Sequence, residues 1–166
     1  MVLTVRALKP ENAEAWKTLR LEAVATYPDA FLATADEVRA MSADQITQML
    51  EAGMWLGVFE DGALAGMTGM TRPTSARAAH RAEIGGFYIR PACQGNGAAD
   101  ALMQALVVHV RALGIWQLEL CVAEKNPRAI RFYERHKFLR QGRMPNIVIG
   151  AEGPETDLFY TRDLRG

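Results

Sequence analysis

The residues best equipped for chemistry lie in the second half of the chain. Gln94-Gly95-Asn96-Gly97-Ala98-Ala99 carries two glycines straight into a long apolar helical pattern. A helix start leaves backbone N–H groups unpaired and bears partial positive charge, so such a loop can hold a phosphate without a lysine. The same residues would also make a plain turn, and a short glycine motif alone does not separate the two. Asn126 and Tyr133 are seven residues apart, about 700° of helix rotation and roughly 10 Å of rise, so they share nearly one face. His109 lies on the side of its helix opposite Asp100, Gln104 and Arg111, and no second histidine is spaced to make it a metal ligand; it reads as a satisfied core histidine. The two cysteines, Cys93 and Cys121, are too few for a disulfide framework or a zinc site. They are expected to be plain thiols in a reducing cytoplasm.

These residues are positioned by alternating strands and helices. Val2 to Leu8 reads as a strand, and Lys9-Pro10-Glu11-Asn12 opens a helix with Ala15, Trp16, Leu19 and Val24 on its pattern. Tyr27-Pro28-Asp29-Ala30-Phe31 interrupts it, and a second helix is expected from Ser42 to near Gly53. Trp55 to Phe59 and Leu64 to Thr71 flank Asp61-Gly62, a hairpin with a type I′ turn. Ala82 to Arg90 is a strand in which Gly85-Gly86 marks a bulge or close backbone approach. A helix over 97–113 follows, then a strand from Ile115 to Val122 with Trp116, Leu118, Leu120 and Val122 on one face. Asn126 suits an N-cap and Pro127 a first helical residue, and strands close the chain from Phe138 onward and over Thr156 to Arg162. The pattern is mixed α/β.

At 166 residues the chain is expected to form one domain over 1–166. Hydrophobic residues make up 49% and charged ones 23%, as in ordinary globular proteins. Nineteen basic residues balance nineteen acidic ones, which argues against nucleic acid as a partner. The longest apolar stretch is broken by Gln104, His109 and Arg111, so no membrane span is expected. The methionines, Met67 and Met70 among them, suit core or pocket filling.

The element order together with Gln94 to Ala99 resembles the GNAT superfamily of acetyl-coenzyme A-dependent N-acyltransferases. Phe87-Tyr88-Ile89-Arg90-Pro91 before the loop, the hairpin Phe59 to Gly66, Leu118 to Val122, Asn126 to Arg135 and Asp157-Leu158-Phe159-Tyr160 match the family in order. The resemblance implies a central, mostly antiparallel twisted sheet with about four helices, splayed where coenzyme A binds. It implies that the amides of Gly95, Asn96, Gly97, Ala98 and Ala99 hold the pyrophosphate, with Gln94 neutral where an arginine is frequent. Phe87 and Ile89 would run along the pantetheine arm through main-chain bonds, and the break from Gly85-Gly86 through Tyr88 would place an N–H on the thioester oxygen.

By the same resemblance Glu83 would accept the amine's proton, Asn126 would bond the pantetheine and Tyr133 would protonate the departing sulfur. An amine of pKa about 10 is mostly protonated at neutral pH, so an acceptor for that proton is needed. Glu83 also reads as a solvated charge beside Arg81, Glu119 is a weaker rival base, and Asn126 could simply cap its helix. The acceptor would lie against the first helices and their connection, including Tyr27 and Phe31, and the closing strands. The implied activity is direct acetyl transfer to a primary amine of a small molecule or peptide, without metal; exposed hairpins and closing strands could support a homodimer. A non-catalytic acyl-coenzyme A sensor shares the loop, whereas a dehydrogenase is disfavoured because the glycines do not open an N-terminal βαβ unit. Two residues depart from the family pattern. Asp100 is expected to point to solvent, away from phosphate, and Lys137 stands where a helix-ending glycine is usual, so a different helix end is expected.

Overall fold

The computed structural model describes all residues, Met1–Gly166. The elements are β1 (Leu3–Ala7), α1 (Ala13–Thr26), α2 (Ala35–Ala40), α3 (Ala43–Glu51), β2 (Trp55–Glu60), β3 (Ala63–Thr71), β4 (Arg81–Ile89), α4 (Ala98–Ala112), β5 (Gln117–Ala123), α5 (Pro127–Arg135), β6 (Leu139–Gly150) and β7 (Gly153–Asp163). The strands follow the order β1-β2-β3-β4-β5-β7-β6 in a seven-stranded sheet. Pairing is antiparallel for β1 with β2, β2 with β3, β5 with β7 and β6 with β7, and parallel for β4 with β5. This is the mixed α/β fold with a mostly antiparallel sheet, although it has five α-helices where about four were expected. No helix is long and apolar enough to cross a membrane.

The chain divides into two compact units, Met1–Thr71 with Gly85–His109, and Arg72–Ile84 with Val110–Gly166. In the first, Leu8, Trp16, Leu19, Ala23, Ile46, Leu50, Phe59, Leu64, Met67 and Tyr88 pack into one core. Met67 is a core residue, fully buried. The hairpin turn has φ of 49° at Asp61 and 85° at Gly62, both positive as a type I′ turn requires. Ser42 caps α3, its hydroxyl accepting from the Gln45 N–H. Helix α2 was not expected, because six residues are too few to show a period. Its start was nevertheless visible, since Thr34 accepts from the Glu37 N–H and Glu37 reaches back to the Thr34 N–H. His109 bonds the Gly53 carbonyl through Nε2 at 2.9 Å, so that nitrogen carries the proton.

In the second unit Leu118, Leu120 and Val122 of β5 are buried, as are Ala82, Ile84, Phe138, Leu158 and Tyr160. The strand starts at Gln117, later than expected. Trp116 is held outside it, stacked on His80 at 4.4 Å with the Arg165 guanidinium 3.7 Å from its ring. The end of α5 corrects a second expectation. Lys137 adopts the left-handed conformation itself, at φ 67°, and the helix closes as it would with glycine. The Lys137 N–H donates to the Glu134 carbonyl at 3.0 Å and the Phe138 N–H to the Tyr133 carbonyl at 3.0 Å, the paired bonds of a Schellman motif.

Candidate active site

The glycine loop belongs to the first unit. Gly95 and Gly97 have φ of 80° and 91°, a conformation that a side chain disfavours. The N–H groups of Gly95, Asn96 and Gly97 meet no acceptor in the protein, whereas that of Ala98 donates to Asn96 Oδ1 at 3.1 Å. Ala99 lies in the first turn of α4, where N–H groups have no intrahelical partner. Asn96 ties the loop to the end of β2 by donating from Nδ2 to Glu60 Oε2 at 2.8 Å. Gln94 turns the other way, donating from Nε2 to the Ile89 carbonyl at 3.0 Å and to the Tyr27 hydroxyl at 3.4 Å. Asp100 is half-buried rather than pointing fully into solvent.

Strand β4 runs on through its glycines to Ile89, but its backbone turns irregular there. Gly86 has φ 61°, and parallel pairing with β5 covers only Arg81 to Glu83. Beyond Gly86, Tyr88 and Ile89 are buried, so a cofactor running along this segment would meet their main chain rather than their side chains; Phe87 is half-buried. The Tyr88 ring lies 6.1 Å from Tyr27 and 6.3 Å from Phe31, edge to face in both cases. Its hydroxyl donates to Glu22 Oε1 at 3.0 Å, while Glu22 Oε2 accepts from Arg90 Nε at 3.0 Å. Tyr27 and Phe31 thus form one cluster with Tyr88 and Gln94, a pair distant from them in sequence.

Glu83, Asn126 and Tyr133 belong to the second unit. Glu83 is exposed, has no hydrogen-bond partner, and stands in register with Glu119. Two carboxylates so placed would repel. Arg81 resolves this by gripping Glu119, Nε to Oε1 at 3.0 Å and to Oε2 at 3.2 Å, with Nη2 to Oε1 at 2.8 Å. Gln117 Nε2 adds a bond to Glu119 Oε2 at 3.1 Å. Glu119 is therefore held by Arg81 and Gln117, whereas Glu83 keeps its side chain exposed. Burial, then Glu83, Asp157 and Glu119, push the Cys121 thiol up to about 11. Burial also raises Cys93, helped by Glu60. Asn126 does cap α5, its Oδ1 accepting from the Ala129 N–H at 3.2 Å, which leaves its Nδ2 as the group able to donate elsewhere. Tyr133 packs edge to face on Phe132 at 5.3 Å and on Phe138 at 5.7 Å. The residue is only half-buried overall, yet desolvation at its hydroxyl holds the pKa well above the ordinary tyrosine range.

Residues 15–138 match the acetyltransferase (GNAT) family. The chain belongs to the GNAT acetyltransferase family. A mycothiol acetyltransferase of Geodermatophilus obscurus is 30% identical over 132 residues, 78% of this chain and 42% of that protein. The chain therefore spans less than half the length of that relative. A GNAT-family acetyltransferase from Streptococcus pneumoniae superposes with a TM-score of 0.87 at 19% identity, covering 98% of this chain and 99% of that one. A putative acetyltransferase from Salmonella typhimurium, solved with its cofactor acetyl-CoA, gives 0.83 at 18% identity, covering 100% of this chain and 96% of that one.

Membership gives the loop and Tyr133 their interest, but several features of this GNAT acetyltransferase were not readable from motifs. The Gln94 bridge to Tyr27, the Arg81–Glu119 fork and the acidic surroundings of Cys121 depend on register and side-chain direction. So does Arg20, a residue in no motif, whose Nη1 is buried without an acceptor.

Proposed function

We propose that residues 1–166 act as one N-acetyltransferase domain, moving an acetyl group from acetyl-coenzyme A to a primary amine of a small molecule or peptide by direct attack in a ternary complex. The observation that carries this reading is the loop, where the N–H groups of Gly95, Asn96 and Gly97 lack a protein acceptor at the start of α4 and suit a pyrophosphate. Glu83, exposed and without a hydrogen-bond partner, takes the proton that the amine must lose. Tyr133, held protonated by burial, donates to the sulfur as the carbon–sulfur bond breaks and thiolate charge develops. A main-chain N–H of the segment from Gly85-Gly86 through Tyr88 would stabilise the thioester oxygen.

Direct attack is favoured over an acyl-enzyme because the available thiols are poor nucleophiles. A cysteine needs its thiolate to accept an acyl group, and both cysteines are shifted toward the thiol. The test is thiol release from acetyl-coenzyme A across an amine panel, with initial velocities measured against both substrates. Intersecting double-reciprocal lines are expected, and Tyr133→Phe and Glu83→Gln should each lower kcat on the order of 100-fold. Parallel lines would exclude the ternary complex, and no release above blank with any amine would leave only an acyl-coenzyme A sensor.

A further inference from the structure

Two buried donors on α1 have no acceptor in the protein, the indole Nε1–H of Trp16 and Nη1 of Arg20. They are four residues apart, hence neighbours on one helix face. Trp16 is only 2% exposed. Both border Trp55: the Trp16 ring meets it edge to face at 5.2 Å, and the Arg20 guanidinium lies 5.8 Å from it and 5.1 Å from the Phe31 ring. The guanidinium also reaches the irregular part of β4, since a Cβ on Gly86 would fall 2.8 Å from Arg20 Nη1 and 2.9 Å from the Trp55 ring. Glu22, two residues on, points to another side of α1, where its oxygens accept from Tyr88 and Arg90. Desolvation lowers the Arg20 pKa, the sign of a buried charge without compensation.

Native proteins pair such groups, because a buried donor left unmet costs free energy, and a charged one costs more. A desolvated guanidinium framed by ring faces and bare backbone suits a flat anion brought by a ligand, and among common anions the carboxylate matches its planar fork. We propose that the acceptor amine also carries a carboxylate, bound by Arg20 with the Trp16 N–H as second donor, so that the substrates are amino-acid-like. This rests on the acetyl-transfer reading above and narrows its acceptor.

The experiment compares α-amino acids with their carboxamides, which keep the amine and lose the charge. Each pair is scored for kcat/KM in acetylation and, independently, for binding by the tryptophan fluorescence of Trp16 and Trp55. The acid of the preferred pair should exceed its amide by about 10- to 100-fold, the range of hydrogen bonds to a charged group. Arg20→Gln should bring that ratio toward one, mainly through KM. Arg20→Lys should keep part of it, as should Trp16→Phe, which removes the N–H and keeps a ring. If Arg20→Gln fails to fold by circular dichroism, the two milder variants carry the test, each with a ratio below that of wild type. Equal treatment of acids and amides by the wild-type protein overturns the proposal and implies that ordered water fills the gap. Equal loss for both members of a pair in the Arg20 variants also overturns it, since that is the behaviour of a group acting on the thioester or on packing. Fluorescence discrimination without any acetylation would support the carboxylate site and refute the acetyl-transfer reading instead.

Discussion

Replacing Lys137 with glycine should stabilise the protein, although lysine is the better helix former. Lys137 sits at φ 67°, where an L-residue is strained by about 1–2 kcal/mol. Glycine relieves that strain but loses more freedom on folding, by roughly 0.5–1 kcal/mol, which leaves a net gain of about 0.5–1 kcal/mol. Both bonds that close α5 are main-chain, Lys137 N–H to Glu134 and Phe138 N–H to Tyr133, so the substitution removes neither. For a chain of this size each kcal/mol moves Tm by about 2–4 °C, so the expected rise is roughly 1–4 °C by calorimetry. Lys137→Ala keeps the Cβ and should gain nothing, while Lys137→Asn should fall between, because asparagine tolerates the left-handed region. Phe138 is 1% exposed and its ring abuts Tyr133, so the cap is also what seats the proposed acid; with the cap preserved, kcat should stay within about twofold. A glycine variant melting at or below wild type, or an alanine variant rising as far, would refute the assignment of strain to this residue.

The cysteine chemistry gives a second prediction. Cys121 is exposed, so access does not limit it. With its thiol raised to about 11 by partial desolvation and the carboxylates of Glu83, Asp157 and Glu119, it should alkylate slowly with iodoacetamide at neutral pH, the rate climbing until about pH 11; a plateau near pH 8 would contradict those surroundings. Because the folded value is the higher one, the thiol's contribution to stability is complete below about pH 9 and is lost as pH rises toward 11, a change urea titration across that interval would detect. Cys121→Ala should leave acetyl transfer unchanged within about twofold, and a loss of two orders of magnitude would revive an acyl-enzyme. Gly86→Ala places a methyl 2.8 Å from Arg20 Nη1 on a backbone at φ 61°, and should lower kcat/KM at least tenfold while melting within a few degrees of wild type. Wild-type kinetics in that variant would show the irregularity to be a mere turn.

Much of the fold was legible because local signals agreed with it. Asp61-Gly62 demanded a type I′ turn, Ser42 and Asn126 offered caps, and Gly85-Gly86 announced an irregular backbone; each feature depends on a few neighbouring residues. Helix α2 escaped because its signal was a cap without a period. Trp116 was misplaced because its apolar type fitted the β5 pattern, while the ring contacts that hold it, with His80 and Arg165, lie 36 and 49 residues away in sequence. Lys137 shows propensity overridden, since the buried Phe138 ring and two main-chain bonds hold a conformation that lysine alone would avoid.

The candidate site was legible as a set of residues and not as a set of partnerships. Spacing placed Asn126 and Tyr133 on one face but could not show that Asn126 spends its oxygen on the cap. Proximity in sequence suggested Arg81 for Glu83; the parallel register Arg81↔Gln117 instead brings Glu119 within the arginine's reach, 38 residues away. That exchange leaves Glu83 without a side-chain hydrogen bond and gives Glu119 three from Arg81. The glycines of β4 carry a parallel lesson. Gly85-Gly86 was read as a bulge or a close backbone approach, and at Gly86 the absent side chain makes the room that Arg20 and Trp55 occupy. The irregularity at Gly86 admits a buried cation beside the main chain that the proposed function assigns to the thioester. Under the proposed chemistry, the amine's carboxylate would be anchored next to the carbon its nitrogen must attack. Holding an acceptor by a second charged group fixes its orientation, which is where much of the rate of an uncomplicated bimolecular transfer can be gained.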